Sequence, residues 1–240
     1  MRLKGKKAIV TGGAKGIGQA IALAFALEGA RTVVVDFDTS GAEETVDLIK
    51  KQGGNAFAVT ADIGNSGQVS DMAKVVADRF ESVDVLANNA GGRIVKSFMD
   101  HSEADWQHML NVNLTGHFFV CKAIVPLMLK AGGGHIVNTC SIASLQGRPN
   151  RIGYCAAKGG FLAFTRALAA DLSNKNIRVN ALAPGMIATP MNQALVDDPK
   201  IGSEWNNENL VGRWGEPEDV AKATIFLASS DADFITGSTI

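Results

Sequence analysis

The chain reads as an α/β protein, a doubly wound parallel sheet with helices on both faces. Three observations predict this. Short β-branched runs alternate with longer segments of helical period from one end to the other. The runs are apolar throughout, as burial on both faces requires. No Pro/Ser-rich linker, low-complexity block or internal repeat divides the 240 residues, so residues 1–240 are expected to form one domain.

In order, the strands are expected at residues 8–11, 32–36, 56–60, 84–87, 135–140 and 178–183. The helices that fill the gaps are expected at 16–28, 41–52, 67–80, 106–130, 153–174 and 218–229. The segment from 190 to 214 differs. It is polar, holds Asp197-Asp198-Pro199 and Asn206-Asn207, and is longer than most connections in such folds, which suggests a substrate lid.

Composition bounds the function. Charged residues are 20% of the chain and the net charge is −1, so no global field draws it to nucleic acid or an anionic membrane. The N-terminal Met1-Arg2-Leu3-Lys4-Gly5-Lys6-Lys7 lacks the apolar core of a signal peptide, and no uninterrupted apolar stretch suggests a membrane span. Cys121, Cys140 and Cys155 are odd in number with no CxxC spacing, and read as small reduced thiols of a cytoplasmic protein. His101, His108, His117 and His135 show no ligand spacing with acids or cysteines, so no metal is expected.

The first strand runs into Thr11-Gly12-Gly13-Ala14-Lys15-Gly16-Ile17-Gly18 and a helical pattern begins at once. Glycines let the backbone approach a pyrophosphate, and the helix N-terminus presents free N–H groups to it. The spacing is Gly-x-x-x-Gly-x-Gly, unlike the more familiar Gly-x-Gly-x-x-Gly. Asp36 ends the second strand, where a carboxylate accepts hydrogen bonds from an adenosine ribose. With Asp38 it would repel a 2′-phosphate, and Phe37 supplies no basic partner, which favours NAD over NADP; Lys15 and Arg31 argue the other way. Tyr154, the only tyrosine, stands four residues before Lys158. On a helix the two share a face, and a nearby cation favours the phenolate, which suits the phenol to proton transfer.

These motifs, with Asn88-Asn89-Ala90-Gly91, Ser141 thirteen residues before Tyr154, Asn113, Asp62-Ile63 and Pro184-Gly185, resemble the short-chain dehydrogenase/reductase family from about Lys6 to Ile240. The resemblance implies a single Rossmann-like domain with about seven strands, assembled as a homotetramer or homodimer. It implies Tyr154 as general acid/base, Ser141 as the group orienting the substrate oxygen, Lys158 as the partner of Tyr154 and of the nicotinamide ribose, and Asn113 as support for a water-linked proton relay. Asn111 is a near rival to Asn113. Cofactor contacts would come from Gly12, Lys15, Gly16, Ile17 and Gly18, then Asp36 and Phe37. Asp62 and Ile63 would meet the adenine, and Asn89, Ala90 and Gly91 would flank the cofactor. Pro184, Gly185, Ile187 and Thr189 would line the nicotinamide side together with Tyr154 and Lys158.

The implied activity is NAD-dependent interconversion of a secondary alcohol (polyol, sugar or hydroxy acid) and its ketone, with a 3-oxoacyl carrier-protein reductase as the alternative and a non-catalytic NAD sensor behind it. An enoyl reductase is disfavoured because that branch spaces Tyr and Lys more widely. An epimerase or dehydratase is disfavoured because those relatives resemble longer chains. Substrate contacts are expected from Arg93, Ser141, Arg148, Tyr154 and Met186, and Arg151 also stands out as an anion binder. The family pattern continues past Thr236-Gly237-Ser238-Thr239-Ile240 into a last strand, so either a tail is lost or removed here or the sheet edge is shortened, which bears on any oligomer contact made by that strand.

Overall fold

The computed structural model describes residues 1–200, 202 and 209–240. Among them six strands form one parallel sheet: β1 (Lys7–Thr11), β2 (Arg31–Asp36), β3 (Asn55–Thr60), β4 (Val85–Asn88), β5 (Gly134–Thr139) and β6 (Ile177–Leu182). Their order is β3-β2-β1-β4-β5-β6. Every pairing is parallel, with Ile9 in register with Val33 on one side and Leu86 on the other.

Side chains of alternate strand residues feed two separate cores. Val10, Val34, Ala87 and Val137 pack under helices α1 (Gly16–Leu27) and α2 (Thr39–Lys51) and the last long helix, which is labelled α8 (Pro217–Ala228). Ile9, Val33, Leu86, Ile136 and Val179 pack on the other face under α3 (Ser66–Phe80), α5 (Gly116–Lys130) and α6 (Ile152–Leu172). Each large side chain removed from water contributes about 1.5–3 kcal/mol, and both sheet faces carry several. This is the doubly wound arrangement the alternation predicts.

Three sequence expectations need correction. A seventh strand is reduced to residues 238–240 lying along β6: the Ala181 N–H donates to Ser238 O (2.9 Å) and the Ile240 N–H to Ala181 O (3.1 Å). Gly237, at φ 71°, turns the chain just before that point, and the pairing consists of a parallel bridge between Ala181 and Thr239. The helix expected at 106–130 starts earlier, as α4 (Glu103–Leu110), because Ser102 and Asp105 build a reciprocal capping box. It then passes through a π turn (Asn111–Thr115), in which the Gly116 N–H reaches Asn111 O five residues back, before continuing as α5. The whole run Glu103–Lys130 has a mean hydropathy of 1.5 over its most apolar window, enough by length and composition to cross a bilayer. Here one side of the run packs into the protein core through Met109, Val120, Cys121, Ile124 and Met128, while Trp106, Phe118 and Leu129 are exposed.

The expected lid is only partly described. After Thr189 a short 3-10 turn (Pro190–Asn192) leads into α7 (Gln193–Val196), while Asn206 and Asn207 lie outside the described residues. An isolated parallel bridge between Ile187 and Gly215 ties the two ends of the segment together.

A chain of buried polar groups crosses β4, β5 and α6. Asn88 Nδ2 donates to Asn138 Oδ1 (3.0 Å), and Asn138 Nδ2 donates to Thr165 Oγ1 (2.9 Å). All three residues are fully buried, so each bond offsets a desolvation cost. Asn138→Leu, with the same branching, is expected to lower unfolding free energy by about 2–3 kcal/mol, because the Asn88 amide loses its oxygen acceptor and keeps only the Cys121 sulfur. Urea denaturation checks this; a loss within experimental error would show that the network carries no net stability.

Candidate active site

The strand order reverses between β1 and β4, and a cleft of about 700 Å³ opens at the carboxyl ends of the strands there. Thr11, the last residue of β1, closes its floor. Its buried hydroxyl accepts the Asn89 N–H (3.0 Å) and the Ala90 N–H (3.2 Å), and Asn89 Nδ2 returns hydrogen bonds to Thr11 O and Gly12 O (both 3.3 Å). The two loops are thereby held in contact, and a Cβ on Gly12 would stand 2.6 Å from Ala90 Cα. Gly12 also needs its positive φ of 67°.

Gly16 and Ile17 open α1 and line the cleft, and the N-cap Lys15 makes no side-chain capping bond, so the first N–H groups of α1 are left to a ligand. Gly18 is the one expected cofactor residue that does not line the cleft. It lies beneath the loop, where a Cβ would stand 1.9 Å from Gly12 O, so its part is to let α1 pack against the turn. The cradle fits a pyrophosphate: close backbone and an uncapped helix end, with Thr189 and Pro190 against Gly16 on its far side.

The other end of this half is acidic. Asp36 accepts the Ala14 N–H on Oδ2 and the Asp38 N–H on Oδ1, each at 3.0 Å, which fixes the carboxylate and leaves further lone pairs toward the cleft. Asp38 caps α2 through the Gly41 N–H (3.1 Å) and pairs with the Lys15 ammonium at 2.8 Å. That lysine, then the Gly41 and Ser40 bonds, lower the Asp38 carboxyl to about 2, and Asp38 in turn raises the Lys15 ammonium above its usual value. Arg31 sits at the opposite end of β2, over the ring of Phe80 at 4.9 Å. Phe37, Asp62 and Ile63 line the same end; the Gly64 N–H donates to Asp62 Oδ1 (2.8 Å), and Ile63 is pressed against Gly116 so closely that a Cβ there would stand 2.8 Å from Ile63 O.

The remaining expected residues converge on the far half. Tyr154 and Lys158 share a face of α6, and both line the cleft. Lys158 is buried; its Nζ donates to Thr139 O (2.8 Å) and lies 5.4 Å from the Phe161 ring centre. Gly91 keeps this approach open, since a Cβ there would be 3.6 Å from Nζ and 2.8 Å from Asn113 Oδ1. Ser141 ends the β5 loop. Its Oγ accepts the Ala143 N–H (3.1 Å), so the hydroxyl proton is left to donate. Asn113, in the π turn, is fully buried, with Nδ2 donating to Gly92 O (3.0 Å) and Met109 O (3.1 Å). Asn111, its rival, instead accepts from Gln107 Nε2 (2.9 Å) at the helix surface. Pro184, Gly185, Met186, Ile187 and Thr189 also line the cleft, as do Arg93, Arg148 and Arg151.

Sequence reasoning missed several neighbours. His108, Val112, Met191 and Asn192 also line the cleft. His108 lies five residues before Asn113, and only the π turn decides where that stretch points. His117 was read only as a non-ligand, yet its imidazole is fully buried and stacks on Phe161 with ring centres 4.1 Å apart. Neither ring nitrogen has a well-aligned hydrogen-bond partner among the described residues, and the nearby Ala90 backbone favours the charged form only weakly. Burial first, and the Lys158 charge second, hold His117 well below the usual histidine range.

A family model described as enoyl-(acyl carrier protein) reductase matches residues 12–240. The 3-oxoacyl-(acyl-carrier-protein) reductase FabG of Chlamydia pneumoniae is 37% identical over 99% of this chain and 95% of its own length. Among solved structures, a gluconate 5-dehydrogenase from Burkholderia cenocepacia in complex with NADP and tartrate superposes with a TM-score of 0.95 at 34% identity, covering 100% of this chain and 94% of that one. A 7α-hydroxysteroid dehydrogenase complexed with NADH and 7-oxo glycochenodeoxycholic acid gives 0.96 at 37% identity, covering 100% and 93%.

The buried imidazole sets a pH dependence. Unfolded histidine takes a proton near pH 6.5, and folded His117 resists it, so stability is fully present above about pH 6.5 and falls as the pH drops below that. His135, lowered chiefly by burial, adds in the same direction. Denaturation at pH 7 and pH 5 is expected to show a loss of up to about 1.4 kcal/mol per pH unit for each histidine. His117→Phe, which keeps the stack, is expected to flatten that slope, and an unchanged slope would contradict a neutral buried His117.

Proposed function

Because the chain belongs to the short-chain dehydrogenase/reductase family, we propose that its cleft interconverts a secondary alcohol and its ketone with NAD(H), and that Tyr154 carries the proton. One observation carries this reading. Tyr154 stands on the cleft wall one helical turn from a buried ammonium that is pinned to Thr139 O, beside a Ser141 hydroxyl whose proton is free to donate.

The glycine cradle and the uncapped start of α1 would hold the pyrophosphate, Asp36 the adenosine ribose and Lys158 the nicotinamide ribose. Bound there, the cofactor supplies the hydride acceptor for oxidation and the donor for reduction. The protein's own residues handle the proton. Ser141 donates to the substrate oxygen and fixes its position. The Tyr154 oxygen takes the hydroxyl proton during oxidation and returns it during reduction, and the Lys158 charge stabilises the phenolate in between. Asn113 holds Gly92 and Met109 and so shapes the wall behind this pair.

NAD over NADP rests on charge. Asp36 and Asp38 present two carboxylates where a 2′-phosphate would lie, Lys15 is already paired to Asp38, and Arg31 is at the wrong end of its strand. A second reading, reduction of a 3-oxoacyl thioester, is favoured by the curated relatives. The solved neighbours name substrates as unlike as a sugar acid and a steroid, so likeness of fold supports the reaction more than the substrate.

Assays with NAD and NADP over a panel of polyols, hydroxy acids and an acetoacetyl thioester, followed by absorbance of the reduced nicotinamide, test the reading; silence throughout would contradict it. Tyr154→Phe is expected to lower kcat about 10³-fold, and a variant with full turnover would remove Tyr154 from the reaction. Asp38→Asn frees Lys15 and is expected to raise the NADP-to-NAD ratio of kcat/KM about tenfold or more; an unmoved ratio would show that this pair does not govern cofactor choice.

A further inference from the structure

Resting on the alcohol–ketone reading, we propose that the substrate is a small hydroxy acid, or the corresponding keto acid, whose carboxylate is held between Arg93 and Arg151. The cleft divides its charges. The carboxylates that line it, Asp36, Asp38 and Asp62, all belong to the β2 and β3 ends, while Arg93, Arg148 and Arg151 line it with Tyr154 and Ser141. Arg151 is the N-cap residue of α6, three positions before Tyr154, and makes no capping bond there. Its Nε is buried without a hydrogen-bond partner among the described residues. An orphaned donor on a cation is a costly thing to bury unless a ligand completes it.

Arg93 is held in place by neutral groups only. Its Nη1 donates to Asn192 Oδ1 (3.0 Å) and its Nη2 to Met191 O (3.2 Å). Asn192 is itself oriented through Nδ2, which donates to Ile187 O (2.8 Å). The plane of the guanidinium is fixed and its charge is left unneutralised. Burial and then the Arg151 charge lower Arg93 from its ordinary value, while Tyr154 acts in the opposite sense, so the three groups sense one another. No described carboxylate forms an ion pair with Arg93, Arg148 or Arg151, although Lys15, Lys96 and Arg213 all find one. Two like charges side by side repel, and an anion between them converts that repulsion into attraction. A carboxylate matches the planar guanidinium fork. The same cleft also has to take the dinucleotide, so its arginine-lined end is the part left for a substrate.

The test compares short-chain hydroxy acids with their own primary amides and with polyols of equal length, using wild type, Arg151→Gln and Arg151→Lys. Wild type is expected to prefer acid over amide by about 100-fold or more in kcat/KM. Arg151→Gln is expected to narrow that ratio to a few-fold, Arg151→Lys to restore part of it, and the KM for NAD in the variants serves as the check on folding. Calorimetric binding of malonate to the NADH complex is expected for wild type and expected to be lost in Arg151→Gln. Equal use of amides or polyols by wild type, a preference for an acetoacetyl thioester, or an acid preference untouched by Arg151→Gln would overturn the proposal. If no alcohol of any charge is turned over, the alcohol–ketone reading fails, and the malonate titration still decides whether the arginine pair is an anion site.

Discussion

The Thr11 hydroxyl is the contact on which the rest of the site depends. It accepts two backbone N–H groups from the end of β4, across the line where the sheet reverses its winding. Everything that makes the cleft useful follows from the two loops meeting there. Gly12 and Gly18 are required because no Cβ fits between the loops, and α1 is aimed so that its uncapped end points into the space that remains. The neighbouring Asn89 amide bonds back to Thr11 O and Gly12 O, so the clamp is closed from both sides.

From this floor the cleft is organised by charge. One end holds fixed carboxylates, with Asp36 tethered by two backbone donors and Asp38 neutralising Lys15. The other holds a buried ammonium and three guanidinium groups with no described acidic partner in ion-pair contact. The buried Lys158 side chain donates to Thr139 O and lies over the Phe161 ring, and burial first and the Lys158 charge second hold His117 well below the usual histidine range. The π turn serves this arrangement. By widening one turn between α4 and α5 it lets a side-chain amide, Asn113, take the Met109 carbonyl and reach Gly92.

Much of this was legible in the sequence, and the reasons are specific. The five strands from β2 to β6 in sheet order are largely buried and rich in apolar residues, which located them, while β3 at the edge is only partly buried and was marked by its short apolar run between polar flanks. Helical spacing put Tyr154 and Lys158 on one face, and only the family resemblance gave them roles. Asp36 was placed by its position at a strand end, although nothing in the sequence showed that its two oxygens would be tethered by Ala14 and Asp38. The start of α4 was misjudged because its signal is a capping box among polar residues rather than an apolar period. The π turn left no compositional mark in Asn111-Val112-Asn113-Leu114-Thr115. His117 looked inert for want of ligand spacing, because burial is a property of the packed helix and not of its neighbours in the chain. The Arg93 bond to Asn192 joins residues 99 apart and has no sequence signal at all.

The central claim is that this cleft moves a hydride between a carbinol carbon and a nicotinamide while Tyr154 moves the proton. The most direct measurement follows the hydrogen itself: a turned-over secondary alcohol deuterated at its carbinol carbon is incubated with the protein and NAD, and the reduced cofactor is analysed by mass spectrometry. The account predicts that the deuterium is recovered in the reduced nicotinamide. Deuterium released to water, with none in the cofactor, would contradict it.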